Sequence, residues 1–218
     1  NRLVYKACNF KTKVLTKMKL LFTYSAALFQ VISSQNIPNI AWGFASSAYQ
    51  VEGAWNVDGK GPSVWDKWFE NGAHSMVSSP GVAQTAAGSP FNTTDHYHRM
   101  KEDVGIMKDM GATIYRFSVS WPRNFQNCNG KVNQDGIDFY SNLIDELLKS
   151  GIQPVLTMYH WDTPQACEDQ YGSWSSDQII TDFTAYADVL FQNYGDRVKL
   201  WLTINEPAAY CGRAFGPV

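Results

Sequence analysis

A carboxylate at the end of an apolar run costs free energy unless it is paired, protonated or put to use. Glu206 is such a residue. Residues 198–204 read VKLWLTI, Asn205 and Glu206 follow, and Pro207 comes next. In a partly apolar site a glutamic acid keeps a proton to give and can serve as general acid. The plainer alternative is a carboxylate salt-bridged to a nearby arginine. Asn205 beside it can donate an amide hydrogen bond to a substrate hydroxyl. His160 and Trp161 end another strand-like run, IQPVLTMYHW, ahead of DTP. An imidazole can bond a sugar hydroxyl, and an indole offers a flat face to the ring. Gln50, in SSAYQVEGAW, has donor and acceptor on one amide, which suits adjacent hydroxyls. Arg116 lies inside the apolar YRFSVSW, where a guanidinium needs anions nearby. That predicts a carboxylate in the same cleft.

Strands and helices must carry these side chains. IAWGFASSAYQ begins as a short apolar run. DHYHRMKEDVGIMKDMG reads as a helix with Met100, Val104 and Met107 on one face and Gly111 as its stop. ATIYRFSVSW reads as a strand. DGIDFYSNLIDELLKSG reads as a helix, capped by Asp135 and stopped at Gly151. IQPVLTMYHW is the next strand. SSDQIITDFTAYADVLFQNYG is a third helix, with Ser175 or Ser176 as cap and Gly195 as close. VKLWLTINE is a further strand. This alternation implies parallel strands with right-handed crossovers. A doubly wound sheet and a (β/α)8 TIM barrel both fit. In a barrel, Gln50, Arg116, His160, Asn205 and Glu206 would meet at the C-terminal rim. No GxGxxG or P-loop follows a strand, which weighs against a nucleotide-binding sheet.

With 218 residues the chain is long enough for one domain with a core. A net charge of −2 leaves no basic footprint for nucleic acid and no polybasic membrane patch. Residues 1–17 contain no methionine and lean basic. Met18 opens MKLLFTYSAALFQVISSQ, with a basic start, an apolar stretch from residue 20 to 32, and Ser33 and Ser34. That pattern predicts a signal peptide over residues 18–34 and a secreted protein, with residues 1–17 a translated leader. The apolar stretch is short for a membrane span. The sequon at Asn92 agrees with secretion. Cys128, Cys167 and Cys211 lie beyond the leader, and an odd number leaves at least one thiol over or means that a partner lies outside this chain. None stands in a CxxC pair, which argues against a zinc site.

GFASSAYQVEGAWNVDGKGPSVWD, YHRMKEDVGIMKDMG, YRFSVSWPR, GIQPVLTMYHWDTPQ and GDRVKLWLTINEP occur in this order between residues 40 and 207. Together they resemble the successive motifs of family 1 glycoside hydrolases, the β-glucosidase and myrosinase family. Their wording is more similar to an animal, insect-like enzyme than to a bacterial one. The resemblance implies a (β/α)8 barrel that hydrolyses β-glycosides with retention, using no metal and no cofactor. It also implies roles. Glu206 matches the acid/base and Asn205 the amide that holds the sugar 2-hydroxyl. His160, Trp161 and Gln50 match sugar-binding positions, and Arg116 matches the arginine beside the nucleophile. Plant myrosinases that resemble the family carry glutamine at the acid position. Glu206 argues against that subtype, though a thioglucosidase that keeps its acid still fits.

Retention needs a second carboxylate about 5–5.5 Å from the acid. The family's nucleophile stands in a threonine-glutamate-asparagine-glycine motif, and none of Glu52, Glu70, Glu102, Glu146, Glu168 or Glu206 does. Strand–helix units begin near residues 40, 112, 152 and 198, which is about half of an eight-fold barrel. Residues 35–218 therefore read as the N-terminal half of a longer barrel, inactive alone. A binding protein that uses the same cleft without chemistry is the competing expectation.

Overall fold

The computed structural model describes residues 40–71 and 93–214. The leader, the signal stretch, the sequon at Asn92 and residues 215–218 lie outside these. The elements below belong to one compact unit. Strands β1 (Gly43–Ala45), β2 (Ile114–Ser118), β3 (Gln153–Tyr159) and β4 (Leu200–Ile204) form one sheet in the order β1-β2-β3-β4. Every pairing is parallel. A doubly wound sheet reverses its strand order at a switch point. This sheet does not, so of the two expected topologies the order is that of a barrel.

The connections are helical. Between β1 and β2 stand α1 (Ala48–Val51), α2 (Val64–Glu70) and α3 (His96–Asp109). Between β2 and β3 stand α4 (Trp121–Asn124) and α5 (Gln134–Lys149). Then come α6 (Gln165–Tyr171), α7 (Gln178–Tyr194) and, after β4, α8 (Pro207–Ala214). The apolar stripe expected on α3 is buried: Met100, Val104 and Met107, with His96 beside them. Gly111 and Gly151 follow α3 and α5 with φ 78° and 77°, a conformation that favours glycine.

Two caps differ from expectation. Helix α5 starts two residues earlier, after Asn133, so Asp135 sits in its first turn rather than at its cap. There its charge still suits the positive end of the helix. Ahead of α7, Ser175 belongs to a 3₁₀ turn, while the Ser176 hydroxyl accepts the Gln178 N–H at 3.3 Å. Helix α2 was not foreseen, although SVWD is its capping box. The Ser63 side chain accepts from the Asp66 N–H, and Asp66 accepts from the Ser63 N–H.

One sheet face packs on the helices. Tyr115, Phe117, Leu156 and Met158 alternate along β2 and β3 and meet Ile137, Tyr140, Leu143, Ile144 and Leu147 of α5, and Tyr186, Leu190 and Tyr194 of α7. Trp121 stacks on Tyr186 at 4.8 Å and nearly parallel. Gly136 lets α5 approach α4, because a Cβ there would stand 2.3 Å from the Arg123 carbonyl oxygen. Cys128 and Cys167 form the disulfide, and Cys211 is free and exposed. With a separation of 39 residues, the bond removes unfolded-state entropy worth about 4 kcal/mol. The two outer strands, β1 and β4, are largely exposed among the described residues. No described helix is long and apolar enough to cross a membrane.

Candidate active site

The parallel register brings the carboxyl ends of the strands level. Ser118 of β2 pairs with Thr157 of β3, and Tyr159 of β3 pairs with Ile204 of β4. The next residues on β3 and β4 are therefore His160 and Asn205, side by side. The Asn205 N–H donates to the Tyr159 carbonyl at 2.9 Å and continues the ladder one step past the strand.

Arg116 ties β2, β3 and the β4 end together. Its Nε donates to Thr157 Oγ1 at 2.9 Å, and one terminal nitrogen donates to Asn205 Oδ1 at 2.6 Å. With the amide oxygen occupied, the Asn205 Nδ2 group is left as the donor. Arg116 is only half-buried, and among the described residues it bonds neutral oxygens rather than a carboxylate. The expectation of an anion at its side, drawn from burial, is thus not met by these residues. The deeply buried arginine is another one, Arg123.

The imidazole of His160 is half-buried. Burial pushes it below the usual histidine value, the Arg116 charge adds to this, and Glu206 opposes it. The shift favours the neutral imidazole, which can accept as well as donate. Trp161 has φ 72° and donates its indole N–H to the Asn205 carbonyl at 2.7 Å. Glu206 has φ 43°, in the left-handed region that costs a bulky residue about 1–3 kcal/mol. Its side chain is exposed, so the partly apolar enclosure expected around it is not formed by the described residues. Pro207 opens α8 at a position where its missing N–H leaves nothing unsatisfied.

Gln50 lies on α1, which is pinned above β2: the Ala48 N–H donates to Ser118 Oγ at 2.7 Å. The Gln50 carbonyl oxygen accepts from Ser47 Oγ at 2.8 Å, and the residue is exposed. The structure thus joins Arg116, Asn205, Trp161, His160 and Glu206 into one group, while Gln50 stands at the same end with its amide turned to Ser47.

A buried charged cluster supports this rim and escaped sequence reasoning. Glu52, two residues past Gln50, accepts from Arg123 Nε at 2.9 Å and from the Tyr140 hydroxyl at 2.5 Å. The Arg123 guanidinium lies 4.1 Å from the centre of the Tyr97 ring. Lys60 meets Asp66 at 3.0 Å. Glu52, Lys60, Ser63, Asp66, Ser120 and Asp162 line one small cavity. Asp162 directly follows Trp161 and Glu52 directly follows α1, so the cluster links the helix bearing Gln50 to the loop bearing His160. The signal for it was Glu52 and Asp66 in the first motif and Asp162 in HWDTP, but composition cannot tell a buried pair from a surface one.

Burial, with the Glu52 charge second, pushes the Asp162 carboxyl up to about 7, against Lys60 and Ser120. The folded chain then holds a proton that the unfolded chain releases near the ordinary aspartate value of about 4. This group's contribution is fully present below pH 4, declines as the pH rises towards 7 and is lost above it. We expect Asp162→Asn to flatten the fall of melting temperature between pH 4 and 7, measured by thermal denaturation across that range. An unchanged slope would show that Asp162 is ionised throughout.

Parallel strands in chain order, with polar side chains gathered at their carboxyl ends, define the α/β-barrel class with its site on the rim. Glycosyl hydrolase family 1 matches residues 34–217, and the chain belongs to that family. The aryl-phospho-β-D-glucosidase of Bacillus subtilis is 52% identical over 165 residues, which covers 76% of this chain and 33% of the relative. The crystal structure of a rice β-glucosidase superposes with a TM-score of 0.68 at 46% identity, covering 79% of this chain and 34% of that one. An aphid myrosinase superposes with a TM-score of 0.72 at 40% identity, covering 81% and 37%. The chain thus spans about a third of the length of the relatives it matches, and its four strands form part of the family's barrel.

Proposed function

We propose that this chain carries the acid/base half of a retaining β-glycosidase of the β-glucosidase type. The observation that carries the reading is the joined rim: Glu206 stands next to Asn205, whose amide oxygen is held by Arg116 at 2.6 Å so that its N–H group is left as a donor. In this reading Glu206 protonates the leaving oxygen and later takes a proton from water. Asn205 holds the sugar 2-hydroxyl, His160, Trp161 and Gln50 contact the ring, and Arg116 sits beside the nucleophile. The attacking carboxylate comes from outside these 218 residues. Glu52 is locked to Arg123, and Glu70, Glu102 and Glu146 are paired with lysine or arginine on their own helices. We therefore propose that the 218-residue chain alone is inactive.

The test uses the full-length gene product and a β-glucoside, with the first-formed anomer followed by proton NMR. The expected product is β-glucose, which mutarotates later. Release of α-glucose would overturn retention, and sugar binding without any turnover would favour the binding protein.

A second reading has one observation behind it. The structural match to an aphid myrosinase supports a thioglucosidase of animal origin. The measurement that separates the two is turnover of a thioglucoside against its oxygen counterpart. Secretion is also proposed, supported by the apolar stretch after Met18 and by the disulfide between Cys128 and Cys167.

A further inference from the structure

We propose that Trp161 is a positioning residue for Glu206, acting through its indole N–H rather than only as a platform for a sugar ring. The inference rests on Glu206 being the acid. Among the described residues no side-chain hydrogen bond holds the Glu206 carboxylate. Its aim is therefore set by its backbone, and that backbone is in an unfavourable conformation, with φ 43°. Something must hold it there.

Trp161 grips the segment on both sides of the acid. Ahead of Glu206, the indole N–H donates to the Asn205 carbonyl at 2.7 Å. That carbonyl belongs to the Asn205–Glu206 peptide, so its orientation fixes the plane from which Glu206 departs. Behind Glu206, the Trp161 ring lies 5.6 Å from the ring of Tyr210. The Tyr210 N–H donates to the Glu206 carbonyl at 2.9 Å, and the Tyr210 hydroxyl meets the Tyr159 hydroxyl at 3.1 Å. Glu206 thus has both flanking peptides tied to the end of β3, the upstream one by Trp161 itself. An indole has one N–H, and here it is committed to the protein. Trp161 is also held in the left-handed region, with φ 72°, so two unfavourable backbones share one hydrogen bond. Asp162, directly after it, is buried.

The experiment exploits a substrate pair in the full-length gene product. An alkyl β-glucoside needs a proton on its leaving oxygen, whereas a dinitrophenyl β-glucoside leaves without one. Trp161→Phe keeps a ring and loses the N–H. The expected result is a fall in kcat/KM on the alkyl glucoside that exceeds the fall on the dinitrophenyl glucoside by a factor on the order of ten, whatever loss of ring contact the two substrates share. Equal losses on both substrates would make Trp161 a ring platform or a structural residue, and no loss on either would end the proposal. If phenylalanine fails to fold, benzothienylalanine at position 161 replaces the N–H with sulfur at nearly the same size, and the same two ratios apply. Glu206→Gln on the same pair separates the premises. If that variant loses equally on both substrates, the acid assignment fails, whatever Trp161 does.

Discussion

Replacing Glu206 with alanine in the full-length gene product is expected to lower kcat/KM on an alkyl β-glucoside by about 10²–10⁴-fold. The reason is chemical. An alkoxide is a poor leaving group, and a positioned acid delivers its proton in the transition state. Binding should change little, because Asn205 keeps its contacts with Arg116 and Tyr159 whatever follows it. The loss should shrink as the leaving group becomes more acidic, and a plot of log kcat/KM against leaving-group acidity should steepen in the variant. Normal turnover of the alkyl glucoside by Glu206→Ala would remove Glu206 from the mechanism. A uniform loss across all leaving groups would point instead to distortion of the α8 start.

The largest effect on stability is expected at Glu52. Its carboxylate and the Arg123 guanidinium are almost wholly buried, with side-chain exposures of 5% and 1%. Glu52→Ala would leave Arg123 charged among Gly53, Ala54, Tyr97 and Phe139 with no anion in contact. Breaking one partner of a buried pair costs about 3–5 kcal/mol. The Tyr140 hydroxyl would lose its acceptor at the same time. The midpoint of urea denaturation reads this directly. Pairing Glu52→Leu with Arg123→Met should recover much of the loss, since neither variant side chain leaves a charge behind. A single Glu52→Ala variant as stable as the wild type would show that water reaches the cluster. The same variant is expected to weaken substrate binding, because the cluster joins the helix that carries Gln50 to the loop that carries His160.

Much of this was written in local sequence. The periodic burial of Met100, Val104 and Met107, the glycine stops after α3 and α5, and the apolar runs of β2, β3 and β4 follow from side-chain spacing alone. The short helices α1, α4, α6 and α8 were not legible, because four to eight residues carry too little periodicity to separate from a loop. Helix α2 announces its start locally through the SVWD capping box.

The candidate site divides along the same line. Residue type and place at a strand end singled out Glu206, Asn205, His160, Trp161, Gln50 and Arg116, because a side chain fit for chemistry is conspicuous after an apolar run. Three things needed the tertiary structure. Strand order separated the barrel from the doubly wound sheet, since alternation of strand and helix is common to both. Pairing across 39 residues chose Cys128 and Cys167 over Cys211. Burial decided which arginine meets a carboxylate among the described residues: Arg123 is locked to Glu52, while Arg116 holds the Asn205 amide oxygen. Each of these depends on contacts between residues far apart in the chain. Periodicity and spacing report only what a segment does with its neighbours, so the sequence determined the elements and the chemistry at their ends, and the packing of distant segments decided how that chemistry is held.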